Sequence, residues 1–521
     1  MTFSIRYFTL AIAALLTCLS SSTTLADVIT GKVSSVEGGG LVVTLESNSK
    51  KGNTEVKLTE RTRITLNGEK AKLSDIETGQ LMTAVTTSKK IATRVFLRVA
   101  KAMDDKPKTS PKPATETKPA ETLSTQTAQT TSDWPQFLGP NRDNKSTSSG
   151  LLQQWPAGGP AMVWSVNELG EGYSSVSVAH GKVYTMGTQN NVTTIFALNE
   201  KTGAVEWTLA TGPKFEEGQG NGPRGTPTIS GELGYALDAN GTLVSFNALT
   251  GSGVWRKNIL NDFGGNNIVW GISESPLVDG NKVIVTPGGS RGTMVALDRM
   301  SGQVIWSAQV PQAPAAAYAS VIPATIGGVK QYINFCSSGL FSVRAVDGTP
   351  LWGNDSTSND TANCSSPVLT KYGIFSSTGY GTGCSMLEVQ GRGGQFQTNV
   401  AYQSREMQNH HGGMVEHNGF IYGSSDPGIL RCLDARTGNV RWENRSVGKG
   451  AITLADGHLI VRSERGPIAL VEATPESYRE KGRFEQPQAS GRSTWPRPVV
   501  ANGNLYIRDQ NLLYVYNLKA N

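Results

Sequence analysis

The strongest constraint on how this chain can fold is a short motif, Gly-x-x-x-Trp, that returns at nearly regular spacing. Thr202-Gly203-Ala204-Val205-Glu206-Trp207 is echoed by Gly251-Ser252-Gly253-Val254-Trp255 and by Ser301-Gly302-Gln303-Val304-Ile305-Trp306. It recurs as Asp347-Gly348-Thr349-Pro350-Leu351-Trp352 and Thr437-Gly438-Asn439-Val440-Arg441-Trp442, and Trp164 ends a similar strand, Met162-Val163-Trp164. The intervals between these tryptophans are 43, 48, 51, 46 and 90 residues, and 90 is twice 45. A period in the forties filled by short strands is the sequence mark of β-propeller blades.

Upstream of each motif lie paired short strands joined by tight turns, such as His180-Gly181, Asp279-Gly280, Asn418-Gly419, Asp456-Gly457 and Asn502-Gly503. Counting these pairs predicts eight units, starting near Tyr173, Arg224, Gly271, Tyr318, Asn363, Asn409, Gly448 and Ser493. The fifth and seventh lack the Gly-x-x-x-Trp ending, and the eighth stops at Leu518 without an outer strand. Residues 161–167, with Trp164, are expected to supply that strand and close the ring, leaving no open sheet edge. Blades pack face to face and need a large flat side chain in the wedge between them. Trp164, Trp207, Trp255, Trp306, Trp352 and Trp442 are therefore read as blade-docking residues, and all but Trp164 follow by four positions a glycine that permits a positive-φ turn.

Three further regions differ in composition. Residues 1–26 place Arg6 before an apolar run and end in Thr24-Leu25-Ala26, the pattern of a signal peptide cut before Asp27. Thr17-Cys18 departs from the Gly, Ala or Ser that precedes a lipidated cysteine, so a lipid anchor at Cys18 is not favoured, and no transmembrane span is expected. Residues 27–100 alternate apolar and polar positions in five or six short strands, with a turn at Asn67-Gly68, and predict a small β-barrel-like domain. Residues 101–132, rich in Lys, Pro, Thr, Glu and Ala, read as a disordered linker. The remainder, 133–521, is the propeller. The fold class is thus all-β: an eight-bladed propeller preceded by a linker and a small barrel-like domain.

The outline A-x-x-x-x-T-G-x-x-x-W, nearly complete from Ala197 to Trp207, resembles the repeat of pyrroloquinoline-quinone (PQQ) enzymes and of the outer-membrane assembly lipoprotein family BamB. Asp133-Trp134-Pro135-Gln136-Phe137-Leu138-Gly139-Pro140-Asn141-Arg142, with Gly381-Thr382-Gly383 and Asn409-His410-His411-Gly412-Gly413, is similar to BamB-like proteins of planctomycete-type bacteria. The resemblance implies two classes of function. A quinoprotein dehydrogenase would bring vicinal cysteines, a Trp floor under the quinone and Glu and Asn ligands for Ca²⁺. No Cys-Cys pair occurs here, and Glu274 with Asn266 or Asn267 is too sparse a donor set for an ion that takes six to eight oxygens. No cofactor is therefore expected, PQQ with Ca²⁺ being the alternative. A BamB-like protein would be a non-catalytic scaffold in the cell envelope, periplasmic or outer-membrane-associated, that holds a protein partner on its loops.

Residues just before the inner strands face the channel mouth. Those least explained by packing are Arg224, Trp270, Glu274, His410, His411 and Trp495, flanked by Tyr173-Ser174-Ser175, Tyr318, Lys449 and Pro496-Arg497. They are the candidate binding residues, and in a third reading His410, Arg224 and Glu274 form a small-molecule sensor site. His410 and His411 are neighbours on an extended segment and point apart, so no metal site is expected. No catalytic residue is assigned, because G-x-S-x-G, P-loop and H-E-x-x-H motifs are all missing from the sequence. The formal charge of +6 comes with no basic block, which argues against a nucleic-acid partner. Cys336, Cys364, Cys384 and Cys432 are left unassigned as to pairing.

Overall fold

A computed structural model describes residues 27–37, 42–46, 54–59, 62–66, 69–72, 74, 76–78, 81–86, 92–98, 132–311 and 315–520. The signal-peptide segment with Cys18, the Asn67-Gly68 turn and the linker apart from Ser132 lie outside the described residues. The chain divides into two compact units, Met1–Ser124 and Thr125–Asn521.

The first unit is one sheet of β1 (Asp27–Glu37), β2 (Val42–Glu46), β3 (Thr54–Lys57), β4 (Arg63–Leu66), β5 (Glu69–Ala71), β6 (Leu81–Thr86) and β7 (Ala92–Arg98). The order is β3-β2-β1-β6-β7-β4-β5, antiparallel except for the parallel pair β4–β7. This is one or two strands more than expected, because β5 is only three residues long and carries no readable alternation. Val33, Val43, Val56, Ile64 and Met82 supply buried side chains.

The second unit contains eight four-stranded antiparallel sheets. They span residues 177–213, 228–258, 277–308, 322–354, 368–404, 414–444, 450–484 and 499–517, the last completed by β8 (Met162–Val166). Trp164 pairs with Val515, so the N-terminal strand closes the ring as the repeat pattern requires. The apolar interior is divided into eight clusters, each shared by two consecutive blades. Stability therefore resides in the wedges between sheets, where flat aromatic side chains bury the most area.

The inner edge of every outer strand is built alike. A register shift falls next to the residue paired with Ala197, Ser245, Ala296, Ser342, Met386, Cys432, Leu470 and Val515. That position is held by Trp207, Trp255, Trp306, Trp352, Tyr402, Trp442, Gly482 and Trp164. The bulge turns the side chain onto the inter-blade face. Five of the six indoles donate Nε1–H to a backbone carbonyl of the next blade, as Trp207 does to Ala248 O at 3.2 Å and Trp442 to Thr474 O at 2.7 Å. Trp352 instead donates to Gln331 of its own blade at 2.8 Å.

The two blades without the motif are explained by substitution. In the fifth, Tyr402 occupies the docking position and its hydroxyl donates to Ala435 O at 3.0 Å. In the seventh that position is Gly482, and Trp155 from outside the blade fills the space: a Cβ on Gly482 would come within 2.6 Å of the Trp155 Cβ.

Residues 132–146 cross the ring. Trp134 pairs with Val178, Arg142 donates to Ser275 O and Val321 O, Asn144 to Ile452 O and Ser146 to Val500 O. One segment thus touches blades one, three, four, seven and eight. Among the described residues Cys336, Cys364, Cys384 and Cys432 are free thiols.

Candidate functional site

Sequence placed the candidate residues before the inner strands, and the ring geometry gathers most of them into one aromatic-lined mouth. The Tyr173 and Trp495 rings stack with centroids 4.4 Å apart. Trp495 continues to His411 at 5.6 Å, His411 to His410 at 5.0 Å and His410 to Tyr380 at 4.8 Å, so the two histidine rings lie side by side in this loop and do not point apart as on an extended strand. On the other side of Tyr173, the Arg224 guanidinium lies 5.6 Å from its ring and 4.8 Å from that of Phe215. Trp270 and Tyr318 form a second aromatic pair at 5.6 Å. Every blade contributes, because each sends one loop to this end.

The titratable groups are woven into the aromatics. Lys449 Nζ donates to His410 Nδ1 at 2.6 Å and pairs with Asp426 at 2.9 Å. A lysine offers donors only, so neutral His410 carries its proton on Nε2, 2.8 Å from the Tyr380 hydroxyl. Burial, then His411 and Lys449, hold the His410 ring down to about 4. His411 Nε2 donates to Glu464 Oε1 at 2.5 Å, and Trp495 Nε1 donates to the same oxygen at 2.9 Å. Burial opposes ionisation of Glu464, but these donors and Lys449 hold its carboxyl down to about 2. Arg224 pairs with Glu217 at 3.6 Å and also donates to Gly220 O and Gly222 O. Burial lowers Arg224 to about 10.

Glu274 does not join this group. Its carboxylate is only 2% exposed and accepts from Thr286 N at 2.6 Å, Thr286 Oγ1 at 3.0 Å and Asn334 Nδ2 at 3.4 Å. Burial pushes it up to about 7, with Thr286 and Arg142 opposing. A carboxylate directly before an inner strand can turn into the sheet stack as readily as toward the mouth, and here Thr286 and Asn334 draw it inward. The cluster of His410, Arg224 and Glu274 expected of a sensor site therefore does not assemble. Ser174 and Ser175 also turn inward, their hydroxyls donating to Ser175 O and Arg497 O. Tyr380, Asp426, Glu464 and Phe215 escaped the sequence reading because they lie in loops outside the segments just before inner strands.

The mouth offers aromatic faces and a rim of both charge signs, with most polar groups already paired within the protein. The residues that could be imagined to hold Ca²⁺ do not fit that role: Glu274 is engaged as above, and Asn267 Oδ1 accepts from Ile268 N at 2.9 Å. Among the described residues no three His, Cys, Asp or Glu side chains converge as a metal site.

The family model described as outer membrane protein assembly factor BamB matches residues 146–270 and 269–444. This chain belongs to the BamB family. BamB of Shewanella oneidensis is 25% identical over 218 residues, which is 41% of this chain and 50% of that one. The chain thus spans about half the length of the curated relative it matches. Among solved structures, BamB from Moraxella catarrhalis aligns over 69% of this chain and 100% of its own at 15% identity, TM-score 0.49. The quinohemoprotein alcohol dehydrogenase of Comamonas testosteroni aligns over 75% of this chain and 81% of its own at 13% identity, TM-score 0.53. That likeness carries the propeller fold and no chemistry. Among the described residues no helix is long and apolar enough to cross a membrane.

Proposed function

We propose that this chain is a non-catalytic BamB-type scaffold of the cell envelope, exported and working on the periplasmic side of the outer membrane, where it holds a protein partner at the mouth of its channel. The observation that supports this reading is the aromatic ring itself. Trp270, Tyr318, Tyr380, His410 and Trp495 are half-buried or exposed, come from different blades, and alternate with Arg224 and Lys449. Tyr, Trp and Arg on a rigid frame are the residues that anchor protein interfaces. A small first unit joined through a polar segment suits a protein that makes two contacts at once.

The test is site-specific photocrosslinking in the native envelope, with the photoreactive residue at position 380 and, as a control, at position 304 on an outer strand. Discrete protein adducts from 380 that weaken with Trp270→Ala or Trp495→Ala are expected. Adducts from 304 alone would move the binding surface to the outer strands and end this assignment. The purified protein is also expected to take up no PQQ in the presence of Ca²⁺; stoichiometric uptake with alcohol or sugar oxidation would replace the scaffold reading by a dehydrogenase.

A further inference from the structure

Four arginines are buried inside the propeller: Arg142, Arg462, Arg497 and Arg508. Three of them have a carboxylate close enough to feel, Glu274 for Arg142 and Asp509 for Arg462 and Arg508. Arg497 has none. Its side chain is 8% exposed and its guanidinium sits 4.6 Å from the centre of the Phe137 ring. Nε donates to Gly412 O at 3.3 Å, while Nη1 is buried with no acceptor, and no carboxylate lies within ion-pair distance among the described residues. A guanidinium stays protonated at any physiological pH. An uncompensated cation in so dry a place is strongly unfavourable unless something negative accompanies it.

Arg497 opens onto a cavity of about 60 Å³ between the crossing segment and blades four to six, with Asn141, Arg142, Asn144, Ser366 and Glu416 on its walls. A single water needs roughly 10–15 Å³ measured this way, so a monatomic ion with one or two waters fits. The charges on the walls are Arg142, Lys145 and Arg497 against Asp143 and Glu416, or three minus two, leaving one positive charge. Lys145 and Glu416 already neutralise one another at 3.0 Å. Arg142 spends its donors on Gln136 Oε1 and on carbonyls of Ser275, Pro276 and Val321.

We propose that this cavity binds one monovalent inorganic anion of the chloride class, held by the Arg497 guanidinium. The anion joins the crossing segment to the ring, since Leu138 and Asn141 belong to the first and Arg497 and Ser366 to the second. Loss of the anion is expected to loosen the crossing segment without touching the channel mouth.

The experiment uses the full chain exchanged into gluconate, an anion too large for the cavity, and titrated with chloride or bromide at constant ionic strength. A saturable rise of several degrees in Tm is expected for both halides. Crystals soaked in bromide should give an anomalous peak within hydrogen-bonding distance of the Arg497 guanidinium. In Arg497→Gln the halide dependence of Tm should vanish; Arg497→Lys serves in its place if the glutamine variant does not fold, with the halide effect reduced at least several-fold. A cavity holding water alone, with no bromide peak and identical melting in gluconate and chloride, would overturn the proposal. So would an undiminished halide effect in the Arg497 variants.

Discussion

The indole of Trp207 seats itself on Gly251 of the following blade: a Cβ added to that glycine would lie 2.6 Å from the ring. The same relation joins Trp164 to Gly203, Trp255 to Gly302, Trp306 to Gly348 and Tyr402 to Gly438, and every one of these glycines has a φ between 70° and 75°. The motif glycine thus answers to two demands, a left-handed turn in its own blade and a bare floor for the ring of the blade before. Gly251→Ala should destabilise the protein by about 3 kcal/mol, about 1 from the backbone and the rest from displacing the ring. In a Trp207→Ala background, itself about 3–5 kcal/mol down, the same change should lose only the backbone part. Urea unfolding of the four proteins checks this, and full additivity would mean the contact is incidental.

Tyr402 carries a second prediction. Tyr402→Phe keeps the ring and loses the bond to Ala435 O, so about 1 kcal/mol should go. Tyr402→Ala should lose about 3–4 kcal/mol, as at a tryptophan site. Equal effects from both would show that the wedge at this blade is filled by something other than the ring.

How much of this was legible beforehand follows from where the constraint lies. The docking tryptophans, the eight blades and the closing strand were readable because one steric problem is solved repeatedly with one pair of residues. Tyr402 was hidden because its hairpin is lengthened to strands Gly383–Arg392 and Gln395–Ser404, so no glycine stands four residues before it. Trp155 was hidden because it fills the seventh wedge from far away in sequence. At the mouth, Arg224, Trp270, His410, His411 and Trp495 were found by their place before inner strands. Their partners Asp426, Glu464 and Tyr380 were not, since loop conformation sets those contacts and leaves no periodic trace.

Two buried groups should give opposite pH dependences over one range. His410 is held down to about 4 from an unfolded 6.5, so between these values the unfolded chain takes a proton that the folded one refuses. Its contribution therefore disappears as pH falls from 6.5 toward 4, by on the order of 2 kcal/mol after discounting for its partial exposure. Glu274 is pushed up to about 7 from 4.5, so the folded state binds the extra proton and stability declines as pH rises from 4.5 through 7. The wild-type-minus-variant stability should fall with decreasing pH for His410→Gln and with increasing pH for Glu274→Gln. Denaturant melts from pH 4 to 8 decide it, and slopes of the same sign would refute one of the two assignments.

At the rim, exposure separates binding from folding. Tyr380 is 46% exposed, so Tyr380→Ala should change stability by less than about 0.5 kcal/mol while reducing partner capture several-fold. Trp495→Ala should lose stability as well, since Tyr173 loses its stacked neighbour and Glu464 one donor. Circular-dichroism melts beside quantified crosslinking separate the two, and a Tyr380→Ala variant that captures its partner normally would remove Tyr380 from the binding surface.

The strand that completes the eighth blade, Met162–Val166, is made before any blade exists, while its partner Leu512–Asn517 is made only after the other seven blades. Until that partner is made this short edge, with Met162 and Val163 still about half exposed even in the finished ring, has no rightful neighbour. Closure of the ring therefore follows the making of every other blade. Until then each growing chain carries a strand that another unfinished chain could borrow.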